Sequence, residues 1–294
     1  MKELYNCKLC PRKCGVNRYK NKGVCGASNK LRIALASKHF FEEPCISGKK
    51  GSGTIFFSYC NLKCIYCQNY KISEGYGKDI SIKRFEEICL ELQEQGVNNI
   101  NLVTPTHYIP HIIRGIKKAK GNGLTIPIVY NTSGYENVET LKKLSGIVDI
   151  YLTDFKYYDN KLGLLYSNVK DYFEITSKAL DEMIRQCPET VMENGLLKKG
   201  IIVRVLLLPN HLYDAMQILK YLYNKYNDKI YISIMNQYTP VRVTKYLNLN
   251  RKVTENEYEK LIDYAVSLGI KNSFVQENGT QDESFIPIFD KRGV

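Results

Sequence analysis

The chain has 294 residues, 44% of them apolar, and a formal net charge of +12. That length suits one large domain, or one domain with a small appendage, and no apolar run is long enough to cross a bilayer. The opening, Met1-Lys2-Glu3-Leu4-Tyr5-Asn6-Cys7, lacks the apolar stretch of a secretory signal, so the expectation is a cytoplasmic protein without membrane contact.

Ten cysteines in such a chain point to metal or redox work in a reducing compartment. The lysines are spread along the chain, and no aromatic-basic motif of an RNA-binding module is present. Solvated lysines therefore explain the charge better than nucleic acid does.

The first stretch carries Cys7, Cys10, Cys14 and Cys25, with Gly15, Gly23 and Gly26 beside them. Four close thiols in a segment poor in apolar residues read as a metal-stapled knuckle. Zinc and a second iron–sulfur cluster both fit this pattern. Residues 31–36 read as a short strand. A loop from His39 through Cys45 to Gly48 follows, and Cys45 is either a packed loop thiol or a group at the mouth of a site.

Residues 53–57 form an apolar strand that runs into Cys60-Asn61-Leu62-Lys63-Cys64-Ile65-Tyr66-Cys67. A strand followed by a cysteine loop places chemistry at a strand's C-terminal end. Three thiolates hold three corners of a four-iron cluster and leave one iron open. Zinc would want a fourth ligand, and Gln68-Asn69-Tyr70 offers neither Cys nor His.

Beyond the loop, strands and helices alternate. Residues 81–95 read as an amphipathic helix with Cys89 on its apolar face, followed by a strand at 99–103. Then come a helix at 111–120, a strand at 127–130, a short helix at 138–144 and a strand at 148–153. Residues 160–174 read as a loop or irregular helix and 177–186 as a helix, and Glu193-Asn194-Gly195 signals a hairpin turn. A strand at 201–208, a helix from 210 to about 226 and a strand at 229–234 complete the alternation. Thr254 and Glu257 mark a capping box for a helix ending near 268, and 273–277 is a last strand-like piece. This pattern predicts an α/β fold with a parallel sheet and right-handed crossovers. The expected form is a partial (β/α)6 TIM-like barrel, with residues 1–50 as a cysteine-rich metal-binding segment and connector and 51–294 as the barrel core with a C-terminal extension.

Polar residues at strand ends should face the site of such a barrel. These are Thr104 and Thr106, then Asn131, Thr132 and Ser133, then Asp154 and Lys156, then Gln237. Asp154 and Lys156, two apart on a strand, point to one face. Arg204, inside a strand, turns inward and needs an anionic partner. His39, His107, His111 and His211 are the proton-transfer candidates, with His107 and Cys45 the pair expected at the barrel mouth.

The cysteine loop resembles the signature of the radical S-adenosylmethionine (radical SAM) superfamily, and Tyr66 matches the aromatic residue before its third cysteine. Asp154-Phe155-Lys156 resembles the D-x-K element of glycyl-radical-enzyme activases, and Asn131-Thr132-Ser133-Gly134 resembles their Thr-Asn-Gly segment. With Glu42-Glu43-Pro44, Gly51-Ser52-Gly53-Thr54, Val103 to His107 and Gln237-Tyr238-Thr239-Pro240, the chain resembles a pyruvate formate-lyase-activating-enzyme-like branch.

The resemblance implies a [4Fe-4S] cluster on Cys60, Cys64 and Cys67, with S-adenosylmethionine at the open iron. It also implies a flavodoxin- or ferredoxin-type electron donor, low oxygen, and hydrogen abstraction from a protein or peptide. The cofactor carboxylate is one partner for Arg204, and Gln237 approaches the adenosine. Small-molecule or RNA modification, and a metal-binding protein without catalysis, are the other readings. Two departures stand out. Thr104-Pro105-Thr106-His107 replaces the family's Gly-Gly-Glu, and the extra cysteines precede the loop instead of following it.

Overall fold

Runs of β-branched and aromatic residues alternate with amphipathic stretches, and each run becomes a strand. The computed structural model describes residues 1–276 and 279–294. The strands are β1 (Leu31–His39), β2 (Ser52–Phe57), β3 (Lys78–Ile80), β4 (Ile100–Val103) and β5 (Ile128–Thr132). They continue as β6 (Ile150–Asp154), β7 (Val191–Glu193), β8 (Leu196–Leu206), β9 (Tyr231–Met235) and β10 (Ser273–Val275).

The helices are α1 (Pro44–Ser47), α2 (Tyr70–Ser73), α3 (Ile82–Glu94), α4 (Ile109–Gly121) and α5 (Val138–Leu141). After them come α6 (Asn160–Ser167), α7 (Tyr172–Gln186), α8 (Leu212–Tyr226) and α9 (Glu255–Ser267).

One sheet runs in the order β10-β9-β8-β6-β5-β4-β2-β1-β3, with β7 paired to β8. From β2 to β10 every neighbour along this order is parallel. β1 pairs antiparallel with both β2 and β3. The fold is α/β with a mostly parallel sheet curved into a partial barrel. The expected six units are present, and the piece at 273–277 adds β10 as a further parallel strand; Glu277 lies outside the described residues.

The period-two alternation of the strands separates two layers. On β8, Ile201, Val203 and Val205 face outward into a core shared with α7, α8 and α9. Ile55, Phe57, Ile100 and Leu102 likewise pack on Phe85, Ile88, Ile112 and Ile116 of α3 and α4. Inside the barrel, Val129, Ile150, Leu152 and Ile202 close around Cys45 and Ile46 of α1. The short helix α1 thus plugs the barrel at the N-terminal ends of its strands.

Local signals explain most boundaries. Ser81 caps α3 by accepting from the Arg84 amide, and Thr254 and Glu257 form the reciprocal box that starts α9, worth about 1 kcal/mol as caps go. Asn194 and Gly195 take φ of 51° and 75°, the left-handed pair that a two-residue hairpin needs. That hairpin starts β8 at Leu196 instead of the expected 201. The stretch 160–174 is more regular than expected, with α6 capped by Asp159 and α7 beginning at Tyr172. β3 went unread because it is three residues long and exposed at a sheet edge. β1 lies within the segment 1–50 yet is bonded into the core sheet. No helix among the described residues is long and apolar enough to cross a membrane.

Candidate active site

The pocket at the C-terminal ends of the strands is built mainly from residues that follow β2, β4, β5, β6, β8 and β9. Cys60, Cys64 and Cys67 line it together with Tyr66. Thr104 follows β4, and Asn131, Thr132 and Ser133 close β5. Asp154 and Lys156 end β6, and Arg204 and Gln237 complete the wall. Phe41, Phe285 and Pro287 stand at its rim.

The cysteine loop is held by its backbone. Tyr59 and Lys63 adopt φ of 72° and 57°, conformations that non-glycine residues rarely take and that cluster at functional sites. This turns the loop sharply while amides approach the sulfurs. The Leu62 amide donates to Cys60 Sγ at 3.4 Å, and Asn69 supplies a backbone donor to Cys67. The Ser167 hydroxyl donates to Cys64 Sγ at 3.1 Å.

Burial pushes the Cys60 thiol up to about 11 and Cys67 to about 12. Such thiols stay protonated in the bare protein and are deprotonated by a bound cation. Among the described residues no three His, Cys, Asp or Glu side chains converge closely enough for a single metal ion. A four-iron cluster asks for a wider spread, because each thiolate binds its own iron. Three thiols on one pocket wall with N–H and O–H donors aimed at them fit that group.

Lys156 Nζ lies 2.6 Å from Asp154 Oδ2. Burial opposes the charge on Lys156, but Asp154 and then Cys64 outweigh it, so the ammonium is held firmly protonated. Thr104, a β-branched residue at φ 58°, sits where β4 ends, and its amide donates to the Asn131 carbonyl at 2.9 Å.

Arg204 turns inward as expected, but its partners are the chain's own. It meets Glu43 through two hydrogen bonds of 2.7 and 2.6 Å and also binds Glu42. Glu42 Oε1 accepts from Asn101 at 2.8 Å. Burial works against ionisation of Glu43, and Arg204 overcomes it and holds the carboxyl below its ordinary value. The sequence reading missed this pair. Its signal was two adjacent acids, Glu42-Glu43, in the connector of a barrel with one inward arginine.

Three expected residues lie off the pocket wall. Thr106 is buried and donates to Glu136 Oε1 at 2.5 Å. His107 is buried, shares a 2.8 Å hydrogen bond with the Ser58 carbonyl, and is pushed down to about 3 by burial and then by Arg18. Cys45 is packed inside the barrel plug, where burial raises it to about 12. The barrel-mouth expectation for His107 and Cys45 therefore differs from their observed places. Among the other histidines, His39 lines the pocket, whereas His111 bonds the Asn29 carbonyl and His211 bonds Tyr166.

The four N-terminal cysteines cluster in the knuckle without converging on a single-ion site. Cys7, Cys10 and Cys25 are buried, and Cys14 is half-buried. A Cβ on Gly23 would stand 3.2 Å from Cys25 Sγ and 3.7 Å from Cys14 Sγ, so these two sulfurs share one small space. The Ala27 amide approaches Cys25 Sγ at 3.5 Å, and Arg12 supplies a backbone donor to Cys10. The knuckle docks on the barrel through two arginines. Arg12 binds the carbonyls of Asn61, Leu62, Ser167 and Asn168, and Arg18 reaches the His107 and Ser28 carbonyls.

A partial barrel with a three-cysteine loop at its C-terminal face defines a class, and the comparisons agree. Residues 54–222 match the family model of the radical SAM superfamily, and the chain belongs to that superfamily. It is 33% identical over 273 residues to the uncharacterized protein MJ0674 of Methanocaldococcus jannaschii, across 88% of this chain and 74% of that protein.

Among solved structures it resembles HydG, a maturase of the [FeFe]-hydrogenase, with TM-score 0.53 and 15% identity over 77% of this chain and 52% of that one. It also resembles Streptococcus suis SuiB bound to the precursor peptide SuiA, with TM-score 0.50 and 14% identity over 75% of this chain and 47% of that one. The chain spans about half the length of these two structures, and the likeness is one of fold. Membership implies a radical-generating enzyme that uses a [4Fe-4S] cluster and S-adenosylmethionine.

Proposed function

We propose that Cys60, Cys64 and Cys67 hold the [4Fe-4S] cluster and that the pocket beside them takes S-adenosylmethionine. The reading is carried by one observation: the three thiols share a pocket wall with the polar ends of β5 and β6. When bound, the cluster and S-adenosylmethionine supply a 5′-deoxyadenosyl radical that takes a hydrogen atom from the substrate.

The chain's own residues bind and orient. Asp154 offers a carboxylate to the cofactor's ammonium, and Lys156 an ammonium to its carboxylate. Asn131, Thr132 and Ser133 add amide and hydroxyl groups, with Thr104 beside them. Arg204 is engaged by Glu42 and Glu43, so it fixes the pocket floor instead of binding the cofactor directly. The Gln237 amide is fixed at 3.0 Å by Gln276 Oε1, which orients this stretch toward the adenosine. Phe41 and Phe285, with ring centroids 5.0 Å apart, cover the rim and keep water out.

The substrate we assign is a protein or peptide, presented as a loop at the open barrel end, as for a glycyl-radical-enzyme activase. The D-x-K residues beside the thiols support this reading. A small molecule is the second reading, and the aromatic rim favours it by narrowing the entrance. A flavodoxin- or ferredoxin-type donor in an anaerobic cytoplasm would supply the electron. The N-terminal cysteines would hold zinc or a second iron–sulfur cluster.

The test is 5′-deoxyadenosine formation by protein reconstituted without oxygen and given S-adenosylmethionine and dithionite. Product from the wild type and none from Cys60→Ala is expected. Equal product from both sinks the assignment. Peptides and small metabolites added to the same assay then separate the two substrate readings by which of them raises turnover.

A further inference from the structure

A line of hydroxyls runs from the pocket wall to one sulfur of the cysteine loop. Tyr66 Oη lies 2.8 Å from Tyr157 Oη, and Tyr157 Oη lies 2.7 Å from Ser167 Oγ. Ser167 Oγ in turn lies 3.1 Å from Cys64 Sγ. Tyr157 is 0% exposed and Ser167 1%, so bulk water does not reach these two hydroxyls.

Each hydroxyl has one proton, and a metal-bound sulfur can only accept. The direction of the line follows. Ser167 donates to Cys64, Tyr157 must then donate to Ser167, and Tyr66 to Tyr157. Every proton points toward the sulfur, and donors in such a chain polarise one another.

Ser167 is not held by chance. It is the last residue of α6, and Asn168 ends the helix in the left-handed conformation. Arg12 of the N-terminal knuckle grips both carbonyls at that end, at 3.0 Å for Ser167 and 2.6 Å for Asn168. The same guanidinium binds the Asn61 and Leu62 carbonyls of the cysteine loop, at 3.0 and 3.3 Å. One side chain therefore fixes the donor relative to the acceptor.

We infer that Ser167 is a positioning residue that sets the reduction potential of the cluster through Cys64, and that Arg12 of the knuckle holds it in place. Hydrogen bonds to cluster sulfurs tune potential. A donor stabilises the more negative, reduced form, so Ser167 makes the cluster easier to reduce by a physiological donor. This rests on Cys60, Cys64 and Cys67 holding the cluster.

The test is an EPR-monitored redox titration of the reconstituted full chain. Ser167→Ala should shift the midpoint to a more negative value, and Ser167→Thr, which keeps the hydroxyl, should restore it. Tyr157→Phe should shift it the same way by less, and so should Arg12→Lys. Equal midpoints in wild type, Ser167→Ala and Tyr157→Phe overturn the inference. If Ser167→Ala takes up no cluster, the Tyr157→Phe midpoint decides, and a value equal to wild type overturns it. Failure of the underlying assignment looks different: no cluster signal in wild type, or unchanged cluster iron in Cys64→Ala.

Discussion

The Arg204 guanidinium and the Glu43 carboxylate face each other inside the barrel, Nε to Oε1 at 2.7 Å and Nη2 to Oε2 at 2.6 Å. The bond joins β8 to the connector that precedes α1, residues 161 positions apart in sequence. Glu42 binds the same guanidinium, so one cation answers two carboxylates on the pocket floor.

Removing Arg204 leaves both acids buried without a cation, facing neutral donors alone, Asn101 at Glu42 and Ser233 at Glu43. Breaking a buried pair from one side costs about 3–5 kcal/mol. Arg204→Met should lower unfolding stability by an amount of that order in urea denaturation of the metal-free chain. Restoring apolar balance with Glu42→Gln and Glu43→Met in the same protein should recover much of it. A single variant as stable as wild type would show that the acids find other partners.

Gly134 sits at φ 78° just after β5, and an added Cβ would stand 2.3 Å from the Asp154 carbonyl and 2.8 Å from Thr176. Backbone cannot give way as a flexible side chain can, and the conformation itself disfavours alanine. Gly134→Ala should therefore push the ends of β5 and β6 apart, costing about 2 kcal/mol or more in stability. It should also weaken S-adenosylmethionine binding at Asp154. Equilibrium dialysis with the reconstituted protein reads the second effect, and unchanged affinity would detach Asp154 from the cofactor.

Much of this architecture was legible because strand and helix periods differ. Inward and outward residues on β8 alternate as its sequence does, and the capping signals at Ser81 and Thr254 are local. The pocket wall was legible for a related reason, since a residue at the end of a parallel strand faces the barrel mouth. What escaped was contact between distant segments. Nothing local in Glu42-Glu43 says that Arg204 is opposite, and Ser167 reads as an ordinary helix end until Arg12 and Cys64 meet there. His107 misled because its neighbour Thr104 lines the pocket, while the turn at Thr106–Tyr108 carries the imidazole back under Ser58.

The Glu136 contribution to stability should fall with rising pH. It is buried, accepts from Thr106, Thr132 and Tyr130, and leaves Oε2 without a partner. Burial raises its pKa from 4.5 to about 7 against the pull of those hydroxyls. The folded state thus binds a proton that the unfolded state has released between these values. Its contribution is complete below about 4.5 and is lost as pH rises through about 7, on the order of 3 kcal/mol. Buried His107 and His111, both pushed down by burial, act in the opposite sense over the same window, so the Glu136 share is read as a difference: the stability of wild type relative to Glu136→Gln, from urea denaturation, should fall between pH 5 and pH 8. A difference that stays constant or grows over that window would reverse the assignment of charge.

Asp154 and Lys156 should separate in their effects on cofactor binding. Asp154→Asn leaves Lys156 charged beside the thiols, while Lys156→Met leaves Asp154 charged without its 2.6 Å partner. A charge-assisted bond contributes about 1.5–3 kcal/mol, so each variant should bind S-adenosylmethionine roughly tenfold or more weakly. Iron content should stay at the wild-type level in both, since neither is a thiol. Loss of iron in either variant would place that residue in the support of the cysteine loop instead.

The knuckle offers the last test, because a metal held there and the cluster proposed for the pocket should be removable one at a time. Cys10 and Cys25 are buried, and the segment around them has a small apolar cluster of Leu4, Cys7 and Leu9. So little apolar surface cannot hold a fold by itself, and a bound metal would supply the rest. Cys10→Ser should lose the knuckle's metal, seen as a drop in zinc or iron by elemental analysis, while the EPR signal from the pocket cluster persists. Limited proteolysis should then cut within residues 1–30 faster than in wild type. The Arg12 grip on the Asn61 and Ser167 carbonyls should loosen as well, so reduction of the remaining cluster should shift in the direction expected for Ser167→Ala. An intact knuckle in the metal-free variant would mean that Arg12 and Arg18 hold it against the barrel without help.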